Sequence, residues 1–130
     1  MKSLVLLSIV CVLFVACNNQ SKTSSDASGL PIPPKDFVAN AINGKALYQQ
    51  HCQLCHGKEA KGSRQGPPLI HKIYEPNHHA DLSFYMAVNR GVQSHHWKFG
   101  NMPAIPGVNP KQAAHIIRYI RQEQKAAGIF

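Results

Sequence analysis

Apolar and polar positions alternate in distinct regimes along the chain. Leu4 to Phe14 is an apolar run of about 11 residues behind a single cation, Lys2. From Asn18 to Gly29 almost no apolar surface remains, and Pro31, Pro33 and Pro34 then favour extended backbone. The residues from Ala41 to His51 contain no β-branched run and predict a helix, with Asn40 able to cap it. Gly44 sits inside that helix at a cost of about 1 kcal/mol relative to alanine, which points to a second backbone passing close by. The other reading makes Asn43 the cap and Gly44 part of the first turn.

Two further helices follow. Leu82, Tyr85, Met86 and Asn89 recur at i, i+3, i+4, i+7, with Phe84 and Val88 widening the face. They predict a helix from about Asp81 to Arg90, stopped by Gly91, with Met86 in the core. The last helix has Asn109 as cap and Pro110 at its first position, and runs to about Ala127 before Gly128. Ala113, Ile116, Ile117 and Ile120 form its apolar face, flanked by Tyr119, and this face is expected to cross the first helix at Gly44. Between the helices lie segments punctuated by glycine and proline: 57–69, 71–79 with three histidines, and 91–109 with several aromatics. The fold class is therefore all-α, with three main helices and long loops. About 90 residues of this kind bury only a marginal core.

Charge narrows the choice of partners. Lys+Arg is 14 against Asp+Glu 6 in 130 residues, a formal net charge of +8. The cations are spread without a Lys/Arg run, which argues against nucleic acid and leaves an acidic protein partner or an anionic membrane. The leading apolar run is too short for a bilayer, which needs about 20 apolar residues, and reads as a targeting segment over residues 1–16. Its end, Phe14-Val15-Ala16-Cys17, resembles the lipobox of bacterial lipoproteins, although Phe14 departs from the usual residue there. On that reading Cys17 becomes the lipidated first residue and 17–37 a flexible tether, with a folded domain over 38–130. The chain is then expected outside the cytoplasm, anchored to a bacterial membrane and facing the periplasm. Plain secretion to the periplasm is the alternative.

The chemistry is concentrated in Cys52-Gln53-Leu54-Cys55-His56, the c-type haem attachment signature. Two intervening residues match the sulfur separation to that of the two haem vinyl groups, and His56 falls under the iron. A thioredoxin-like use of the cysteines would require a preceding strand, and a structural zinc site two more ligands at similar spacing. A ligating imidazole should donate its other ring N–H to an acceptor, and a backbone carbonyl near Pro67 is the candidate. Met102, held by Pro103 in an irregular aromatic segment, can present a thioether as second axial ligand. His95 or His96 could take its place. Trp97 can either hydrogen-bond a haem propionate or act as an aromatic lid.

Together these residues resemble a class I monohaem cytochrome c over about residues 40–127. Gly44 and Tyr48, the Cys52/Cys55/His56 motif, Gly66-Pro67-Pro68-Leu69, Gly100-Asn101-Met102-Pro103 and Tyr119 fall in the family's order. The resemblance implies the cytochrome c fold wrapped around one covalent haem c. It also implies His56 and Met102 on the iron, Pro67 receiving the histidine N–H, and Leu69 packing on haem. The activity implied is one-electron shuttling between redox proteins by a monomer rather than catalysis, with no small-molecule substrate at the iron. Lys58 and Lys61 are expected to ring the transfer edge and suit an acidic docking patch on a reductase or oxidase. Two rivals remain. One is a haem subunit of a larger oxidoreductase. The other is a haem enzyme or gas sensor with a displaceable distal ligand.

Overall fold

The computed structural model describes residues 29–130, so the targeting segment, Cys17 and the first part of the tether lie outside the described residues. Four α-helices follow in order: α1 (Ala41–His51), α2 (Gln53–His56), α3 (Asp81–Arg90) and α4 (Pro110–Ala126). Single 3-10 turns at Lys58–Ala60 and Lys72–Tyr74 interrupt the loops, and both escaped the sequence pattern. The three longer helices are those predicted. The short α2 carries the second cysteine and the histidine of the motif.

The helix ends follow their local chemistry. The Asn40 side chain accepts from the backbone N–H of Ile42 and Asn43, so Asn40 and not Asn43 is the cap. At α4, Asn109 and Gln112 exchange side-chain and backbone hydrogen bonds in a reciprocal capping box behind Pro110. Gly128 follows the last turn with φ 75°.

The protein-only core lies between α1 and α4. Tyr48, Ile116, Tyr119 and Ile120 are buried together, and the Tyr48 and Tyr119 rings meet at 5.4 Å. Gly44 makes this crossing possible. A Cβ there would lie 1.9 Å from the His115 carbonyl oxygen and 2.9 Å from the Tyr119 Cβ. The helix cost of glycine thus obtains the close approach that the sequence suggested. Before α1, Phe37 packs edge-on against His115 with Lys111 over its ring, and residues 30–34 are half-buried against the domain.

Helix α3 behaves differently. None of its residues is buried, and Leu82 is 43% exposed. The face turned inward is Ser83, Phe84, Ala87 and Val88, not the Leu82/Tyr85/Met86/Asn89 stripe that was expected. Phe84 and Val88, which widened the expected face, turn inward with Ser83 and Ala87, and this strip, free of amide surface, takes the interior. Met86 is half-buried and off the cavity wall.

Replacing Gly44 with alanine should cost about 3 kcal/mol, the upper end for overpacking a close contact, because backbone and not a flexible side chain is struck. Denaturant unfolding of the holoprotein measures it, and a wild-type midpoint would refute this view of the crossing.

Candidate functional site

Beside the α1–α4 core is a cavity of about 330 Å³, a size within the range of small-molecule and cofactor sites. Cys52, His56, Pro67 and Leu69 line it from the motif side, Phe84, Ala87 and Val88 from α3, and Ile116, Ile117 and Ile120 from α4. Trp97 and Met102 complete the wall from the long loop after α3. The loops therefore bring the motif and Met102 to one apolar hollow, although they are far apart in sequence.

His56 is held from two sides. It is 9% exposed, and its Nδ1 lies 2.9 Å from the Pro67 carbonyl oxygen. A carbonyl can only accept, so Nδ1 carries the proton and Nε2 keeps its lone pair. Burial pushes the His56 pKa down more than the Pro67 hydrogen bond raises it, which favours the neutral ring. Beneath the motif, the buried Tyr48 hydroxyl donates to the Gly57 carbonyl at 2.7 Å and fixes the turn just after His56. Leu69 is buried, and its N–H donates to the Ala60 carbonyl at 2.8 Å.

The two cysteines are unpaired. Cys52 is half-buried on the cavity wall, and Cys55 is exposed. Burial, then the neighbouring Cys55, pushes the Cys52 thiol up to about 11. A thiol held protonated in this way is a poor disulfide-exchange nucleophile, which argues against the thioredoxin-like alternative.

Met102 is set in place by a single antiparallel bridge. The Val92 N–H donates to the Met102 carbonyl at 2.9 Å, and the Met102 N–H returns to the Val92 carbonyl at 3.0 Å. Gly91 precedes this pair with φ 79°, and a Cβ there would lie 2.5 Å from the Met102 carbonyl. That position admits only glycine without strain. Trp97 has a buried indole N–H that no acceptor satisfies. The Tyr74 hydroxyl is near enough to feel it, which offsets part of the upward push of burial on Tyr74, but it does not meet hydrogen-bond geometry.

Sequence reasoning missed two polar residues that shape this wall. Gln124 is 1% exposed, and its amide donates to the Leu69 carbonyl at 2.8 Å. Arg121 reaches Asp81 at 2.7 Å, the Tyr74 carbonyl at 2.6 Å and the His79 carbonyl, and lies over the Phe84 ring. Their position just beyond the Ile116/Ile117/Ile120 stripe was visible. Their partners, some 40 to 55 residues away, were not.

A haem fits what is present. The hollow is apolar, the Cys52 thiol and the His56 imidazole with a free Nε2 stand on its wall with Cys55 exposed beside them, and an orphaned indole N–H awaits an anionic or carbonyl acceptor. An arrangement of this kind defines a c-type haem protein. The cytochrome c family model matches residues 41–124, and the chain belongs to that family. Covalently attached haem c comes with the family. A crystal structure of the c-type cytochrome XoxG from Methylobacterium extorquens AM1 shares the fold, with a TM-score of 0.53 and 22% identity over 65% of this chain and 50% of that one. The chain thus spans half the length of that structure. No curated protein matches the chain.

Covalent attachment is directly checkable. In a host competent in cytochrome maturation, the wild-type protein should keep its colour through extraction with acidic organic solvent. The double variant C52A/C55A should lose it, and colour retained by that variant would exclude these sulfurs as the linkage.

Proposed function

We propose that the chain is a one-electron carrier working outside the cytoplasm, with His56 and Met102 as the axial ligands of its haem iron. The observation that carries this reading is the bond from His56 Nδ1 to the Pro67 carbonyl on the wall of a cavity that Met102 also lines. Haem bound there supplies Fe(III)/Fe(II) chemistry. The residues around it do the rest. His56 presents a neutral Nε2, and its backbone partner fixes the ring plane and raises its basicity. The Met102 thioether favours the ferrous state. Phe84, Val88, Ile116 and Ile117 exclude water, and the Trp97 indole N–H is suited to a propionate. With both residues holding the iron no position would remain open, so the chain would carry electrons and bind no substrate at the metal.

The partners we infer are redox proteins with acidic docking patches. The exposed motif face contains Cys55 and Leu54, the latter 81% exposed, with Lys58 close by in sequence. Lys61 is exposed but engaged with Glu59 at 2.8 Å, so Lys58 is the freer of the two expected docking cations. Among the described residues no helix is long and apolar enough to cross a membrane. We assign membrane attachment to a lipidated Cys17 at the lipobox-like Phe14-Val15-Ala16-Cys17, with residues 1–16 removed and the residues from 17 up to the packed 30–37 segment acting as tether to a monomeric haem domain.

Met102→Ala is the decisive variant. It should abolish the far-red absorption band of methionine-ligated ferric haem, admit cyanide or carbon monoxide to the iron, and lower the potential. An unchanged spectrum and potential would move the distal ligand elsewhere, with His95 and His96 next in line. Binding of carbon monoxide by the wild-type ferrous protein would instead favour a gas-binding role.

A further inference from the structure

Four histidines gather where the loop before α3 meets the loop after it. The His78, His79 and His96 rings lie 4.7 to 5.2 Å apart by centroid, and His95 stands 4.3 Å from His96. One ligand nitrogen from each of His78, His79 and His96 falls within 4.8 Å of the others. We propose that these three imidazoles form a second metal site, separate from the haem iron, that takes a borderline divalent transition ion such as Zn²⁺ or Cu²⁺.

Three features support it. The first is geometry. Three nitrogens around a tetrahedral ion at about 2.0–2.1 Å stand about 3.3 Å apart, so only a small closing movement is required. His78 and His96 are exposed and can make that movement by side-chain rotation. The second is orientation. His79 Nδ1 lies 2.6 Å from the Ile73 carbonyl, so Nδ1 donates and Nε2 is left as the ligand atom. This is the same device that prepares His56. The third is rigidity. The 75–79 turn is closed by the His78 and His79 N–H groups donating to the Glu75 carbonyl at 3.0 and 2.8 Å. Arg121 holds the His79 carbonyl from α4. The half-buried member of the trio is therefore fixed before any ion arrives.

Ligand chemistry selects the ion. Three neutral imidazoles without a carboxylate or thiolate suit Zn²⁺ and Cu²⁺, and disfavour Ca²⁺ and Mg²⁺, which require oxygen. Three protein ligands leave a fourth position for water or an exogenous donor. His79 and His96 also line the haem cavity, so an ion held there would sit at its wall.

The test uses the holoprotein and Zn²⁺ alone, which is redox-silent. Isothermal titration and metal analysis after desalting should give one zinc per chain, with the haem spectrum unchanged. The variant H78Q alters an exposed side chain off the haem cavity wall and should keep the fold and the haem spectrum, while affinity falls by more than about tenfold, the loss that even outer-shell changes produce. Absence of binding by the wild-type holoprotein would overturn the site, as would equal binding by the variant. A haem spectrum altered in H78Q would also overturn it, because His78 is off the cavity wall and would then belong to the iron. Loss of the far-red band in Met102→Ala tests the haem ligation independently, so either reading can fail alone.

Discussion

Three longer helices of 10 to 17 residues with a single tight crossing do not close a core by themselves, and this constraint organises the molecule. Protein packs on protein where α1 crosses α4 at Gly44. The inner face of α3 points instead into a cavity floored by the buried Ile116 and Ile117 of α4, so the half-buried Phe84 and Val88 have apolar surface that another body must cover. The hydrophobic effect makes that requirement quantitative. Burying a side chain of this size from full exposure contributes about 1.5–3 kcal/mol, and covering what Phe84 and Val88 leave open contributes a part of that for each, which still counts against the small net stability of a domain. A covalent haem therefore acts as both prosthetic group and missing core layer, and the stability of α3 depends on it more than that of α1 or α4.

Polar groups fix what apolar packing leaves loose. Irregular backbone next to a core must find partners for its N–H and C=O groups. α4 provides several of them, through Gln124 to the Leu69 carbonyl and Arg121 to the Tyr74 and His79 carbonyls. One helix thus supplies the apolar floor of the cavity and the hydrogen bonds that hold the loops bordering it. The exposed Lys61–Glu59 pair contributes little by comparison, since a solvated ion pair is worth a small and salt-sensitive amount.

What the sequence revealed follows from the range of each interaction. Cys52, Cys55 and His56 were legible because haem attachment imposes a fixed local spacing. Gly44 was legible because glycine inside a helix has a cost that demands a reason, and Pro67 because a ligating imidazole needs an acceptor. The caps of α1 and α4 are local and were legible too. The inward face of α3 was misassigned because two stripes have the same period and the choice depends on what lies opposite. The links of Arg121 and Gln124, and the convergence of His78 and His79 with His96, join distant segments and leave no periodic trace. Two of the three histidines of the 71–79 segment, His78 and His79, become part of a cluster only once α3 folds back and brings His96 to them.

The two sides of the cavity differ in how firmly they are built. His56 is buried, bonded to the Pro67 carbonyl and backed by Tyr48 through Gly57. Moving it means opening the α1–α4 core. Met102 depends on the Val92 bridge and on the Ile105 N–H donating to the Val88 carbonyl at 2.8 Å, while residues 93–96 and 98–101 between them are exposed. Segments with few buried contacts open at lower free energy than the global fold. The Met102 side is thus the one that yields first, and the His56 side stays in place through such openings. For the proposed electron carrier this asymmetry would keep one ligand fixed, which limits reorganisation, while the softer side tunes the potential. The loop that bears Met102 also bears His96, so an ion bridging His96 to the anchored His79 would stiffen the weaker wall.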